Sequence, residues 1–442
     1  VTVLMNLLSL PWTLSAFLLV AAAKQAPAAL EASYKERIEQ LLNTSATLAA
    51  RHLSKRFSLT TNLFSGYELE YGKGSKAKAA KWTHDCLGIA TSRDSVENCV
   101  LRQLQALTAL CDVPMTADSK EIAEKHLGHL LRSPEIPELA MKLQKMSGAS
   151  IFLVRKEPDG DPGDMDASPA IQASMLMAAV RCGQALGQKQ HLDDAESWFL
   201  GLSTIYPEDM WKKSFTSFHR SAMTWESLAV TALHIGKDSS FHQGLEEYLQ
   251  RFEIFLRDTW EENKEHWSFA SARALAVRWF STKKKKERVK LKQWAVEHVD
   301  RFLGRSQVHL TDGPNDRISK GILARIGGSR YTCGPLQGLA SLAAILKDAE
   351  VIQVVLQLME KDITRYQIQP SNPGPIRGPI RKPADLLGLL GGFYRDDDQL
   401  QLEHRKTLRV DDTAMCLIAI THMLETLASI KSVVVDGARE DL

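Results

Sequence analysis

The residues with most chemistry in them stand near the C-terminus, in Arg409-Val410-Asp411-Asp412-Thr413-Ala414-Met415. Two adjacent carboxylates at the head of an apolar helix have two uses. They accept backbone N–H bonds and suit the positive end of the helix dipole. Alternatively, they join a third carboxylate in proton transfer, and Glu226, beside Trp225, is available for that role. Carbohydrate chemistry needs such parts, with one carboxyl as acid, another as base, and aromatic platforms for the ring. Asp411, Asp412 and Glu226 are therefore the candidate catalytic residues, and Arg409, Tyr331, Trp225 and Arg330 the candidate substrate-binding ones, with Trp267 beside them. Each of these aromatics also fits an ordinary core position.

Other chemistries lack their parts. His126 and His129 lie three apart on a helix, but Lys125 precedes them and Leu127-Gly128 separates them, so no HExxH zinc motif forms. They read as surface histidines. Asp159, Asp161, Asp164 and Asp166 crowd one loop. Counted from Asp159, the sixth and twelfth places of an EF-hand hold Asp164 and Ala170 rather than Gly and Glu. Gly-x-Ser-x-Gly, phosphate-cradling glycine loops and CxxC pairs are all missing. No metal and no cofactor is expected. Lys+Arg 55 against Asp+Glu 53 leaves a net charge of +2, which excludes a dedicated nucleic-acid binder. The run Lys283-Lys284-Lys285-Lys286 reads as the solvated start of a helix. Partners are narrowed to a small molecule, a glycan or a protein.

The elements that must position these residues are helices. Apolar spacing predicts helices over 28–58, 94–112 and 117–133, with a short one within 134–149 between Pro137 and Gly148. Arg155 to Pro169 is dense in Asp, Gly and Pro and reads as an acidic linker. Beyond it helix pairs recur: 169–186 with 191–204, 219–235 with 238–258, 267–281 with 286–304, 333–347 with 349–366, then 411–432. First members such as Ala170-Ile171-Gln172-Ala173-Ser174-Met175-Leu176-Met177 are apolar all round and hence buried all round, whereas second members carry charge on one side. Alternating buried and half-exposed helices predict an all-α fold, either a paired-helix (α/α) toroid or a helical solenoid, with an N-terminal helical extension. A substantial sheet is not expected. The divisions are 1–23, 24–154 as an N-terminal helical region, 155–168 as linker, and 169–442 as a helical-hairpin domain. In a toroid the starts of the inner helices would converge on one mouth.

Residues 1–23 carry no charge and end in Ala21-Ala22-Ala23 before Lys24, as a cleaved signal peptide does. Pro11 divides the stretch, leaving an apolar run short of a span. An uncleaved membrane anchor is the alternative. With the sequon Asn43-Thr44-Ser45, this predicts a secreted or lumenal glycoprotein. In an oxidising compartment Cys86–Cys99 or Cys99–Cys111 would bridge adjacent helices, while Cys182, Cys333 and Cys416 read as small buried residues.

The glycine-containing turn Gly391-Gly392-Phe393-Tyr394-Arg395 followed by Asp411 at the start of a buried helix resembles the (α/α) toroids. That broad group includes terpenoid cyclases, protein prenyltransferases and six-hairpin glycosidases. Within it, Val410-Asp411-Asp412-Thr413-Ala414-Met415 resembles the Asp-x-Asp-Asp-Thr-Ala-Met acid motif of class II terpene cyclases. The resemblance covers six residues and implies Asp411 as proton donor to an alkene or epoxide. Arg409 stands where the motif has its first aspartate, and a cation there favours the ionised carboxylate, which donates no proton. The chain thus reads as a toroid protein with an enzyme-like, carbohydrate-active pocket, as a non-catalytic scaffold binding protein or glycan, or as a cyclase-like acid.

Overall fold

The computed structural model describes residues 12–65, 93–156, 161, 163–215, 217–237, 239–262, 269–303, 333–346, 349–370, 390–397, 405–408 and 410–440. The chain divides into two compact units, Val1–Thr44 and Ser45–Leu442. The first, in its described part, is one stretch of helix. That helix, α1 (Trp12–Arg56), starts earlier than the apolar spacing predicts and continues into the second unit. Among the described residues no helix is long and apolar enough to cross a membrane.

The second unit is mostly helical. Its helices are α2 (Arg93–Cys111), α3 (Ala117–Arg132), α4 (Pro169–Leu186), α5 (Lys189–Ile205), the single turn α6 (Trp211–Ser214), α7 (Phe218–His234), α8 (His242–Glu262), α9 (Phe269–Ser281), α10 (Lys285–Leu303), α11 (Cys333–Leu346), α12 (Ala349–Tyr366) and α13 (Val410–Glu440). Local chemistry sets their ends. Thr116 and Ser119 form a reciprocal capping box at the start of α3. Ser168 caps α4, Pro169 takes its first turn, and Gly187 closes it at φ 67°.

Among the described residues, six helices pack in a cycle: α2 on α4, α4 on α7, α7 on α9, α9 on α11, α11 on α13, and α13 back on α2. These are the helices apolar on nearly every face. The others lie outside them, α3 and α5 on α4, α8 on α7, α10 on α9 and α11, and α12 on α11. Ile254 on α8 and Val289 and Val296 on α10 face solvent. Lys284, Lys285 and Lys286 are exposed at the turn into α10.

Two expectations are corrected. Residues 134–149 form no regular α-helix: after the paired short strands β1 (Phe57–Ser58) and β2 (Leu63–Phe64), a four-stranded antiparallel sheet runs β3 (Glu135–Ile136), β4 (Met141–Met146), β5 (Ala149–Arg155), β6 (Met165–Ala167). Ser147 and Gly148, at φ 45° and 86°, make the two-residue turn that joins β4 to β5 with the twist a hairpin needs. Gln172 of α4 anchors this sheet, accepting from Phe152 N–H at 3.0 Å and donating to the Ser150 carbonyl at 2.6 Å. Phe152 stacks on Trp198 of α5 at 4.3 Å. Part of the presumed linker is therefore β6, paired to β5.

The second correction concerns cysteines. Cys111 bonds Cys182 (Cα–Cα 5.3 Å) and Cys333 bonds Cys416 (4.6 Å), so each disulfide ties two neighbouring helices of the cycle. A Cys99–Cys111 bridge is impossible because both sit on α2, twelve residues or about 18 Å apart. Cys99 is buried, and Cys86 lies outside the described residues.

Candidate functional site

All six helices of the cycle line two cavities, and in the same order. The smaller, about 40 Å³, is met by Leu104 and Thr108 of α2, Ser174 of α4, Glu226 of α7, Arg273 of α9, Gln337 of α11 and Ile418 of α13. The larger, about 340 Å³, is met by Asp112 just past α2, Arg181, His234, Arg273, Ser341 and His422 on the same succession of elements. On five of the six the residue at the larger cavity comes later in sequence, and α9 gives Arg273 to both. The six helices therefore run parallel, and the larger cavity lies toward the C-terminal side of the smaller one along them. A volume near 340 Å³ suits a small ligand, whereas 40 Å³ holds about one or two waters.

Between the cavities lies a chain of charges. Arg181 Nε is 2.5 Å from Asp112 Oδ1, and Arg273 Nη2 is 3.9 Å from Asp112 Oδ2. Arg273 Nη1 reaches Glu226 Oε1 at 2.5 Å. With its amide oxygen toward Arg273, Gln337 accepts from Nη1 at 2.5 Å and Nε at 3.1 Å. Burial pushes the Glu226 carboxyl above its ordinary value, with Arg273 opposing and Asp112 adding to the rise.

Across the larger cavity stand the titratable groups not used up in that chain. Ser341 Oγ donates to the Gln337 carbonyl at 2.9 Å and lies 3.0 Å from His422 Nδ1. A hydroxyl has one proton to give, so Nδ1–H of His422 is the donor to Ser341 and Nε2 keeps the lone pair. Burial, then Arg273 and Arg181, hold His422 well below 6.5, so the ring is neutral at physiological pH. His234 is lowered too, by burial and Arg181. Glu425 is raised by burial and by Asp112, and among the described residues its carboxylate makes no hydrogen bond or ion pair. Phe280 and Leu233, at 52% and 43% exposed, form an apolar wall beside these groups.

The fold distributes the sequence candidates differently. Glu226 faces the ring interior. Its neighbour Trp225 faces outward, where its indole donates to Glu253 at 3.1 Å and stacks on Trp294 at 5.1 Å. Successive helical residues point about 100° apart, and here that turn carries Trp225 away from both cavities. Trp225 is core. Asp411 is buried in the first turn of α13, 3.3 Å from Arg102 Nε, and Asp412 follows it. Neither lines either cavity. Asp411 precedes His422 by eleven residues, about 16 Å of helix. Arg409, Tyr331, Arg330 and Trp267 lie outside the described residues. His126 is fully buried rather than on the surface, its Nδ1 at 2.7 Å from the Asn62 carbonyl and its ring edge-on to Phe64. No metal-holding cluster of His, Cys, Asp or Glu occurs among the described residues.

Sequence reasoning missed Asp112, Arg181, His234, Arg273, His422 and Glu425. Their signal was available: ionisable residues inside helices otherwise apolar all round, as in Ala178-Ala179-Val180-Arg181-Cys182 and Ile420-Thr421-His422-Met423.

No protein-family model matches the chain, and no curated protein matches it in sequence. A sugar epimerase from a ruminal bacterium, known from its crystal structure, is similar in fold at TM-score 0.55. The similarity spans 88% of this chain and 98% of that one, at 12% identity.

Proposed function

We propose that this protein is an (α/α) toroid enzyme whose larger cavity carries out acid–base chemistry on a sugar. Support for the toroid comes from the parallel six-helix cycle and from the fold of the sugar epimerase. The observation that carries the chemistry is His422, a neutral imidazole with Nδ1 committed to Ser341 and Nε2 left as base.

Epimerisation beside a carbonyl takes a proton from carbon on one face and returns one on the other. On this reading His422 Nε2 takes the proton from an open-chain sugar. Arg181 and Arg273, each with N–H groups beyond those in ion pairs, stabilise the enolate oxygen. Glu425, protonated more readily than an ordinary carboxyl, returns a proton, with His234 as the second acid–base group. Phe280, on the cavity wall, offers an apolar surface to the C–H groups of the chain. Secretion belongs to the same proposal. It is supported by the uncharged leader, the Asn43 sequon and two disulfides that persist in an oxidising compartment.

The test is to incubate the protein with neutral reducing sugars in D2O and follow deuterium entry beside the carbonyl by NMR. Exchange with at least one sugar is expected, falling by about 10²–10⁴-fold in His422→Asn. Binding without exchange would favour the non-catalytic scaffold. Neither binding nor exchange would remove the sugar reading. The cyclase-like acid has less support, because Asp411 is ion-paired to Arg102 and lines neither cavity.

A further inference from the structure

We propose that the Cys111–Cys182 disulfide is the positioning device of the larger cavity, holding Asp112 and Arg181 against each other so that the site is complete only in the oxidised protein. The inference rests on the reading of that cavity as the active site.

The sulfurs and the ion pair are sequence neighbours on both sides of one seam. Asp112 follows Cys111, and Arg181 precedes Cys182. The bridge sets the α2 and α4 backbones 5.3 Å apart at the cysteines, and the next side chain on each closes the 2.5 Å contact from Arg181 Nε to Asp112 Oδ1. Beyond Arg181, Asp112 is held among the described residues only by the longer 3.9 Å contact to Arg273 and by its own backbone. It lies just past the last residue of α2, with one backbone bond, from its N–H to the Thr108 carbonyl at 3.0 Å. Helix ends fray, and an ion pair with a partly exposed partner holds two side chains together only weakly. The Arg181 side chain is 26% exposed.

Asp112 is also the residue whose charge the site shares most widely. It faces Arg181 and Arg273, and its field reaches His234, Glu226 and Glu425. Releasing it frees Arg181 and takes one carboxylate away from Arg273, the two cations that act on His422. Opening the bridge needs two electrons and two protons from a dithiol, which leaves as its own disulfide, and two protein thiols remain.

The fold supplies its own control. Cys333–Cys416 ties α11 to α13 in the same ring, and its sequence separation of 83 against 71 gives a nearly equal chain-entropy contribution. It lies away from the cavity groups. Cys333 is eight residues from Ser341 and Cys416 six from His422, about 12 and 9 Å along their helices.

The experiment compares full-length Cys111→Ala/Cys182→Ala with Cys333→Ala/Cys416→Ala. Melting temperature and the His422 titration, by NMR of labelled histidine, are measured for each. Both doubles should melt earlier by similar amounts. Only the first should raise the His422 pKa toward 6.5, because Arg181 moves off and water enters, and only the first should lose sugar exchange by more than tenfold. Arg181→Gln with both disulfides intact should reproduce the His422 shift, and it decides the matter if the first double does not fold. The proposal is overturned if a folded first double leaves His422 unmoved, if both doubles move it equally, or if Arg181→Gln has no effect. Absence of sugar exchange in the unaltered protein would sink the sugar reading and leave the histidine comparison standing.

Discussion

Glu226 and Arg273 face each other across the α7–α9 seam at 2.5 Å, with only 11% and 9% of their side chains exposed. Each is tolerable there because of the other. Two charges out of water cost more than their attraction returns unless further hydrogen bonds complete the arrangement, and here Gln337 and Asp112 do so.

It follows that Arg273→Met should be more harmful than its apolar replacement implies. It strands Glu226 and removes one of the two cations facing Asp112, at a cost of roughly 3–5 kcal/mol. Glu226→Gln should cost less, since the amide oxygen still accepts from Arg273. Urea denaturation of both variants and of the Arg273→Met/Glu226→Leu double measures this. A double no more stable than Arg273→Met would show that the stranded carboxylate is not the cause.

A second buried cluster joins α8, α9 and α10. Arg278 meets Glu253 at 2.6 Å, Glu246 at 3.1 Å and Glu287 at 3.6 Å, and Trp225 donates to the same Glu253. Arg278→Leu should destabilise by about 3–5 kcal/mol while leaving sugar exchange per folded molecule unaltered. Circular-dichroism melts paired with the exchange assay separate the two effects.

Acid should destabilise the protein through two buried histidines. Burial holds His52 at about 3 and His126 at about 4, against 6.5 in the unfolded chain. The folded pKa is depressed, so the unfolded state binds more protons whenever pH falls below 6.5. Stability is full above 6.5 and is lost as pH drops toward 4, by very roughly 3 kcal/mol for each ring. Melting temperature recorded from pH 7.5 to 4.5 should fall across that window, and less steeply in His126→Gln. An identical slope in that variant would remove His126 from the account.

Asp411→Asn should leave exchange within about tenfold of the unaltered enzyme, against the 10²–10⁴-fold that a general acid–base residue commands. The reason is placement, one helix start and about 16 Å from His422. Kinetics on neutral sugars decide it, and near-complete loss would return Asp411 to the site.

What the sequence determined by itself is what depends on near neighbours along the chain. Helices 169–186, 333–346 and 349–366 were legible to within about a residue, because Ser168, Pro169 and Gly187 punctuate locally and all-round apolar faces mark burial. The hairpin at 141–155 was not, since its strand character comes from β4 and β5 pairing and from the Gln172 amide seated on β5. Glu226 lines the smaller cavity and Trp225 does not, although the sequence places them side by side, because only helix packing decides which of two neighbours faces inward. Tertiary structure alone brought Asp112, Arg181, Arg273 and His422 together and paired Cys111 with Cys182. Those four cavity residues stand 69 to 310 positions apart in the sequence, and the closure of a six-helix cycle, not any local preference, brings them together.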